Sequence, residues 1–244
     1  MVEVMDQVAL QEKVETTQLA RADWDRDGYA LVKGALPKNL LQEFERQLQE
    51  LWRDPRGCQI TVEGVGVTTM EHAKTLDLSH HHYRIIEIQN YLSSARAIVN
   101  HPSIIQGFVS LFGRRPVFCQ SLTFEWPSEQ PLHQDWCFVT TCAPDVPNLA
   151  GVWVAIDRVE VDNGPLVYYP GSHRMPRYNY SEATHDGFRP YLENQVQGSQ
   201  AETFLADPGD VLLWHGDLAH AGSPALNKSK RRLSLVLHYS FEPA

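Results

Sequence analysis

Leu132-His133-Gln134-Asp135-Trp136 places an imidazole and a carboxylate two residues apart in the chain. If this stretch ends a β-strand, the side chains of His133 and Asp135 project from the same face. An imidazole and a carboxylate on one face supply two of the three ligands of a 2-His-1-carboxylate iron(II) site. The third ligand must then come from a distant segment, as it does where the strands of a barrel reconverge. The stretch therefore predicts a metal centre inside a β-structure.

His220 is the predicted third ligand, since it follows the strand pattern of residues 211–214 on a turn. A second His-x-Asp pair, His215 and Asp217, is the alternative source of ligands. Its partner would have to be His220, which is too near in sequence to approach from a separate strand, or His238, which no basic residue follows. We therefore prefer the first pair with His220 and interpret His215 as a residue that either supports the ligands or packs in the core.

The last predicted strand, residues 232–241, carries a second polar pair. Arg232 and Ser234 share one face, whereas the leucines between them and beyond take the other face. A buried guanidinium needs an anion, and its planar fork fits a carboxylate, to which a neighbouring hydroxyl can also donate. Binding of 2-oxoglutarate requires an iron site with open positions and, beside it, a cationic group that holds the far carboxylate. Arg231 stays open as the alternative anchor, because one of two adjacent arginines points outward.

Composition excludes several classes of function. The chain has 244 residues and a formal net charge of −9, which argues against nucleic-acid or membrane-surface binding. It shows no apolar run of spanning length and no signal-peptide pattern in residues 1–20, so we predict a cytoplasmic protein. Residues 1–18 are predicted to be a polar N-terminal arm, and residues 19–244 a single domain. The four cysteines lack metal-site spacing and are predicted to be reduced thiols.

The predicted elements change from helices to strands near residue 116. A short strand is expected at residues 29–32, with helices at 37–52, 83–99 and 102–112. Residues 58–80 are predicted to be a surface loop, with a mobile segment over a pocket as the alternative. Strands are expected at residues 117–126, 152–156, 166–169, 211–214 and 232–241, with a hairpin turn at 162–164. This order predicts a mainly β fold, an antiparallel double sheet with flanking helices.

Five segments together resemble the phytanoyl-CoA dioxygenase family. They are His133-Gln134-Asp135, Asn163-Gly164-Pro165-Leu166, Pro170-Gly171-Ser172-His173-Arg174, Pro208-Gly209-Asp210 and the run from His220 through Asn227 to Arg232. The resemblance covers residues 19–242 and implies a double-stranded β-helix, the jelly-roll or cupin-like barrel. It implies an enzyme that uses Fe(II), 2-oxoglutarate and O2.

The resemblance also implies roles for single residues. His133, Asp135 and His220 match the iron ligands, and Arg232 matches the arginine that binds the distal carboxylate of 2-oxoglutarate. Gln120 and Trp153 fall on strands that line the cosubstrate pocket in relatives. Two details qualify the match. The segment from His220 to Asn227 is longer than usual, which keeps Arg231 as an alternative anchor. Asp135 stands where related halogenases have a small residue, which disfavours halogenation.

The predicted reaction is oxidation of a small-molecule substrate, with release of succinate and CO2. Hydroxylation of an unactivated C–H bond is expected first; desaturation, cyclisation, epimerisation or endoperoxide formation by the same oxidant are the alternatives. The aromatic residues near the motifs suggest a largely apolar metabolite or biosynthetic intermediate, as in secondary metabolism, and no basic cluster suits the phosphates of CoA. Two rivals stay open, namely an isomerase that uses the metal as a Lewis acid and a catalytically silent small-molecule-binding protein.

Overall fold

The structure is a computed structural model that describes residues 22–139, 149–179 and 185–241. The predicted arm at residues 1–18 and Cys142 lie outside these ranges. Within them the chain forms two antiparallel sheets, with helices concentrated in the first half of the sequence. The prediction of a mainly β fold with flanking helices is confirmed.

The strands are β1 (Tyr29–Val32), β2 (Gln59–Val62), β3 (Gly66–Thr69), β4 (Tyr83–Ile86), β5 (Val117–Phe124), β6 (Leu149–Ala155), β7 (Leu166–Tyr168), β8 (Glu202–Phe204), β9 (Val211–His215), β10 (His220–Gly222) and β11 (Ser234–Ser240). In the described part, eight of them form a large sheet in the order β1-β9-β6-β11-β5-β4-β2-β3. The other three form a small sheet in the order β10-β7-β8. The two sheets are therefore separate hydrogen-bonded units.

The helices are α1 (Lys38–Arg53), α2 (Met70–Ala73), α3 (Ser93–Val99), α4 (Pro102–Phe112) and α5 (Phe188–Gln195), and residues 22–27 are also helical. In α1 the apolar residues Leu41, Phe44, Leu48 and Leu51 recur at helical spacing and are buried, as predicted. Helix α4 starts with Pro102 and ends at Gly113 in the left-handed conformation, φ 69°. Among the described residues, no helix combines the length and the apolar character needed to cross a membrane.

Two predicted segments are different in the structure. Residues 58–80 are not a plain loop, because β2 and β3 form a hairpin whose Ile60 and Val62 are fully buried. The helix predicted over residues 83–99 begins only at Ser93, and its first part is strand β4. The register of β4 on β5 pairs Ile85 with Thr123, a contact between segments distant in sequence. These three strands extend the large sheet well beyond the predicted one.

Two apolar cores lie on the two faces of the large sheet. On the outer face Leu235 and Leu237 of β11 belong to one cluster with Phe44 and Phe108 of the helices. On the inner face the large sheet packs against the small one, and this second core includes the following residues: Trp153, Trp214 and Val236 from the large sheet with Tyr168 and Phe204 from the small sheet. The alternation along β11 therefore turns Ser234, Val236 and His238 toward the space between the sheets.

The turn at residues 162–164 does not close a hairpin. Strands β6 and β7 on either side of it belong to different sheets, so the turn carries the chain from one sheet to the other. Asn163 is fully buried, and its side-chain amide accepts a bond from the Glu160 N–H at 2.8 Å and donates to the Arg158 carbonyl at 2.9 Å. The hairpin prediction is wrong because these local bonds, rather than strand pairing, stabilise the turn.

The cysteines only partly follow the prediction of reduced thiols. Cys58 is free and buried, and Cys137 is free and partly buried. Cys119 is disulfide-bonded, so the prediction is wrong at this residue. Sequence spacing gave no sign of this bond, because its partners need proximity in space rather than in the chain.

Candidate metal centre and cosubstrate pocket

The two predicted histidine ligands are held together by their own backbones. His133 does not lie at a strand end; it forms an isolated antiparallel bridge with His220, which begins β10 rather than lying on a turn. Their N–H and carbonyl groups exchange two hydrogen bonds, each of 3.0 Å. Asp135 then starts a 3-10 turn over Asp135–Cys137. The bridge and the turn together bring the three predicted ligands side by side, although not by the strand geometry that we expected.

Hydrogen bonds orient both imidazole rings. Nδ1 of His133 lies 2.7 Å from the carbonyl oxygen of Pro131, and Nδ1 of His220 lies 2.9 Å from that of Leu218. A carbonyl only accepts, so each Nδ1 carries a proton, and in the neutral form of each ring Nε2 then keeps a free lone pair. These Nε2 atoms lie 3.7 Å and 3.6 Å from Oδ1 of Asp135. Donors bound to one ion at about 2.1 Å lie roughly 3–4 Å apart, so the spacing fits a metal ion.

The second oxygen of Asp135 is held by the large sheet. Oδ2 accepts a 2.7 Å hydrogen bond from Nε1 of Trp214, which leaves Oδ1 directed at the histidines. Nε2 of His238 lies 3.2 Å from the same Oδ2 but does not meet hydrogen-bond geometry, and Nδ1 of His238 lies 3.2 Å from Nε2 of Gln120. Trp214 therefore positions the carboxylate ligand in the way that partners of metal ligands usually do.

The electrostatics favour the metal-binding protonation states. Burial alone would raise the pKa of Asp135, but His220, His238 and His133 lower it below its ordinary range. Burial, followed by the neighbouring His220, lowers the pKa of His133 to about 4. At neutral pH the carboxylate is therefore charged and the His133 imidazole is neutral, which is the state that binds a cation.

Of the two adjacent arginines, Arg232 faces the inside of the protein. Its side chain is buried, its Nε has no hydrogen-bond partner among the described residues, and its guanidinium lies 5.1 Å from the centre of the Trp153 ring. Burial lowers the pKa of Arg232 to about 10, so the group is still charged at neutral pH. Arg231 points away, and its guanidinium donates to both carboxylate oxygens of Asp157, at 2.9 Å and 3.0 Å, and to Glu45.

One cavity of about 600 Å³ brings these groups together. Six of the seven predicted site residues line it: Gln120, His133, Asp135, Trp153, His220 and Arg232. Ser234, the seventh, is fully buried on the face of β11 that also carries Val236 and His238. Its Oγ has no hydrogen-bond partner within the described residues. Trp214, His238 and Arg84 also line the cavity. Sequence analysis counted Trp214 among the aromatic residues near the motifs, but it gave His238 and Arg84 no place in the preferred site. Only His238 had a usable signal, since it continues the alternation from Arg232 and Ser234.

The second His-x-Asp pair lies outside this cluster. Asp217 is held by two 2.9 Å bonds from the guanidinium of Arg177. His215 accepts a 3.1 Å bond from the Asp217 N–H through Nδ1, and its ring packs on Trp24 and His173. Burial lowers the pKa of His215 to about 4. The arrangement is that of a neutral packing residue.

Known proteins provide an independent comparison with this site. The family model of phytanoyl-CoA dioxygenase matches residues 24–233. The human peroxisomal phytanoyl-CoA dioxygenase is 21% identical, over 90% of this chain and 67% of that protein. Phytanoyl-CoA dioxygenase 1 of Oryza sativa subsp. japonica is 31% identical, over 54% of this chain and 47% of its own length. The 1-deoxypentalenic acid 11-beta-hydroxylase of Streptomyces arenae is 25% identical, over 91% of this chain and 79% of that protein.

Solved structures share the fold. The epimerase SnoN, in complex with Fe3+, alpha ketoglutarate and nogalamycin RO, has a TM-score of 0.69 at 20% identity and covers 92% of this chain and 83% of its own. EctD from S. alaskensis, with 2-oxoglutarate and 5-hydroxyectoine, has a TM-score of 0.67 at 18% identity and covers 90% of this chain and 74% of its own. The likeness confirms the predicted double-stranded β-helix.

Proposed function

Because this chain belongs to the phytanoyl-CoA dioxygenase family, we propose that it hydroxylates an unactivated C–H bond of a small, largely apolar organic molecule. It is a non-haem enzyme dependent on Fe(II) and 2-oxoglutarate, with O2 as the oxidant. The observation that carries the proposal is the shared cavity: three metal donors and the guanidinium of Arg232, whose Nε has no partner within the described residues, line the same space.

The donor set fits iron(II). One ligand atom from each of His133, Asp135 and His220 lies within 4.8 Å of the others. Two imidazoles and one carboxylate are the ligand types of the facial triad of non-haem iron oxygenases, which leaves positions open for other ligands. We assign these three residues as the iron ligands.

The buried guanidinium fits the cosubstrate. A charged group without a partner is costly inside a protein, and the unpaired Nε of Arg232 is the kind of donor that a carboxylate satisfies. We assign Arg232 to the distal carboxylate of 2-oxoglutarate, with the Ser234 hydroxyl as a second donor. Gln120 and Trp153 line the same cavity, and we assign them to its walls around the cosubstrate.

When bound, iron(II) and 2-oxoglutarate supply the oxidising chemistry, with succinate and CO2 as the other products. The chain supplies orientation and exclusion of water. Apolar side chains from several elements line the cavity, among them Ile86, Leu122, Phe124, Phe138, Leu166 and Phe188. They position an apolar substrate, and the C–H bond that they hold closest to the metal decides between hydroxylation and the related outcomes of desaturation, cyclisation, epimerisation or endoperoxide formation.

We propose a free organic molecule rather than a CoA thioester as the substrate. The outer pocket that adjoins the cavity is lined by the acidic Glu63 and Glu129 as well as by Arg84, so it does not form the basic cluster that CoA phosphates require. The name of the Streptomyces relative, 1-deoxypentalenic acid 11-beta-hydroxylase, describes such a reaction on a small organic acid. A turnover assay in which only CoA thioesters react would contradict this proposal.

The test is an anaerobic titration of the metal-free protein with Fe(II) and 2-oxoglutarate, followed by the visible charge-transfer absorption of the chelate. We expect the band in the wild-type protein and not in His133→Ala. His215→Ala is the matched control, because it removes the histidine of the second His-x-Asp pair and should keep the band. Loss of the band in His215→Ala alone would overturn the ligand assignment.

A turnover assay in air and the anaerobic titration together separate the two rival functions. An isomerase that uses the metal as a Lewis acid would turn over without 2-oxoglutarate, whereas the proposed enzyme releases succinate in air only when 2-oxoglutarate is present. A folded wild-type protein without any band would exclude the oxygenase reaction and favour a silent small-molecule-binding protein.

A further inference from the structure

Arg84 is a charged residue of the cavity that has no role in the proposed binding of iron or 2-oxoglutarate. It lies on β4 and, in register, pairs with Thr61 of β2 on the part of the large sheet that the sequence did not predict. Both residues line the 600 Å³ cavity and also an adjoining outer pocket of about 430 Å³. Arg84 therefore lies between the metal cavity and the surface opening next to it.

The Arg84 guanidinium has no anionic partner within the described residues, although it is partly buried. Three other arginines near the site are ion-paired: Arg177 with Asp217, Arg189 with Glu193 and Arg231 with Asp157. Burial alone lowers the pKa of Arg84, and no acidic neighbour offsets the effect. Glu63 and Glu129 line the outer pocket, but neither comes within ion-pair distance of Arg84 in the described structure. An unpaired charge in such a place indicates a ligand that supplies the opposite charge.

Charge balance separates this ligand from the cosubstrate. In the proposed complex, iron(II) and Arg232 supply three positive charges, and the 2-oxoglutarate dianion and Asp135 supply three negative ones. Arg189 is already balanced by Glu193. Among the cavity-lining residues that the structure describes, Arg84 is then the one cation left without a counter-charge.

We propose, on the basis of the function proposed above, that Arg84 binds a carboxylate group of the organic substrate. The substrate is therefore an apolar monocarboxylic acid, with its acid group at the outer end of the cavity and its hydrocarbon part toward the metal. A carboxylate matches the single charge and the planar fork of the guanidinium. A phosphate ester would bring a second negative charge next to Glu63 and Glu129, which disfavours it. The hydroxyl of Thr61 is a further donor beside Arg84.

The test uses three pairs of probes that differ only in charge: benzoate, cyclohexanecarboxylate and adamantane-1-carboxylate, each beside its primary amide. Each probe is titrated anaerobically into the protein loaded with Fe(II) and 2-oxoglutarate, and binding is followed by the shift of the visible band. We expect wild-type protein to bind at least one acid about tenfold or more tightly than its amide.

Arg84→Gln should abolish this preference without changing the dissociation constant for 2-oxoglutarate, and Arg84→Lys should keep part of it. Arg189→Gln is the matched control, because it removes a cavity-lining arginine that already has a partner, and its acid-to-amide ratio should equal that of the wild type. Equal binding of acids and amides by the wild type would overturn the inference, as would weaker 2-oxoglutarate binding in Arg84→Gln. A missing band in the wild type would instead count against the proposed function itself.

Discussion

Arg231 and Arg232 are neighbours in the chain but have opposite surroundings. Arg231 is paired with Asp157 and Glu45, whereas the buried Arg232 faces the cavity without a hydrogen bond to its Nε within the described residues. The first arrangement is a structural ion pair, and the second is the one that we assign to the distal carboxylate of 2-oxoglutarate. The difference between the two residues can therefore be tested with one substitution applied at each.

We expect Arg232→Gln to raise the dissociation constant for 2-oxoglutarate about tenfold or more, because a charge-assisted bidentate contact is lost. Binding of Fe(II) in the absence of 2-oxoglutarate should not change. Arg231→Gln should leave 2-oxoglutarate binding intact and lower the free energy of unfolding by about 1 kcal/mol. Anaerobic titrations and urea denaturation measure both quantities. The reverse pattern, with 2-oxoglutarate binding weakened only in Arg231→Gln, would make Arg231 the anchor.

Trp214 supplies a hydrogen bond that orients the proposed carboxylate ligand, from its Nε1 to Oδ2 of Asp135 at 2.7 Å. Trp214→Phe keeps an aromatic ring in the core but removes the donor, so we expect Fe(II) affinity to fall about 10- to 100-fold. Trp52→Phe is the control, since it also removes an indole bond to a carboxylate, that of Glu125, but outside the metal cavity. Titration with Fe(II) under argon compares the two variants, and equal affinities would show that Trp214 does not support the ligand.

At the scale of the strand, β6 has a glycine at the position where the Trp214 ring packs against it. Gly151 lies opposite Trp214 in the β6–β9 register, and a Cβ at Gly151 would lie 2.2 Å from the indole Cε2. The indole therefore occupies the space of the missing side chain on the inner face of the sheet. A glycine inside a strand usually weakens the strand. At this position glycine is required because the indole of Trp214 approaches the backbone of β6 too closely for any side chain.

We expect Gly151→Ala to displace the indole, to lower the free energy of unfolding by about 1–3 kcal/mol and to weaken Fe(II) binding as Trp214→Phe does. Gly107→Ala is the matched control, because its Cβ would meet Leu213 of the same strand β9 at an ordinary 3.6 Å. That variant should be more stable by about 0.5–1 kcal/mol, since it replaces a glycine within a helix. Urea denaturation and titration with Fe(II) of both variants are the measurements. An unchanged Fe(II) affinity in Gly151→Ala would show that the packing of the indole on β6 does not position Asp135.

The elements also show which parts of the protein were predictable from sequence. Helix α1 follows from the spacing of its buried apolar residues, and the candidate ligand set follows from residue chemistry. The strand parity that we expected for His133 and Asp135 is not what brings them together, because a bridge and a 3-10 turn do so. Strand β4 does not, because Tyr83–Ile86 is a stretch of only four residues, which is too short for its pattern to distinguish a helix from a strand. Its pairing with β5 decides the matter, and this contact is not visible in the local sequence. Arg84 was missed for the same reason.

At the scale of the whole molecule, the large sheet joins two cores, and the carboxylate of Glu125 lies at one junction. Oε1 of Glu125 accepts bonds from Nε1 of Trp52 in α1 at 2.6 Å and from the Tyr83 hydroxyl in β4 at 3.2 Å. Its backbone carbonyl accepts a 3.3 Å bond from the N–H of Arg232. Glu125 thus connects a helix of the outer layer with the sheet and with Arg232, which lies two residues before β11.

Burial raises the pKa of Glu125 above its ordinary 4.5, even though Trp52 and Tyr83 donate to it. The folded state then holds the proton more tightly than the unfolded state, so the contribution of Glu125 to stability is full below about pH 4.5 and is lost as the pH rises through the raised value. We expect the free energy of unfolding of the wild type to fall between pH 4.5 and pH 8 relative to that of Glu125→Gln, which cannot ionise. Urea denaturation across this range measures the difference, with Glu193→Gln, an exposed carboxylate on α5, as the control. Parallel stability curves for the wild type and Glu125→Gln would show that the buried carboxyl group is ionised equally in both states, and that the junction of helix and sheet tolerates its charge.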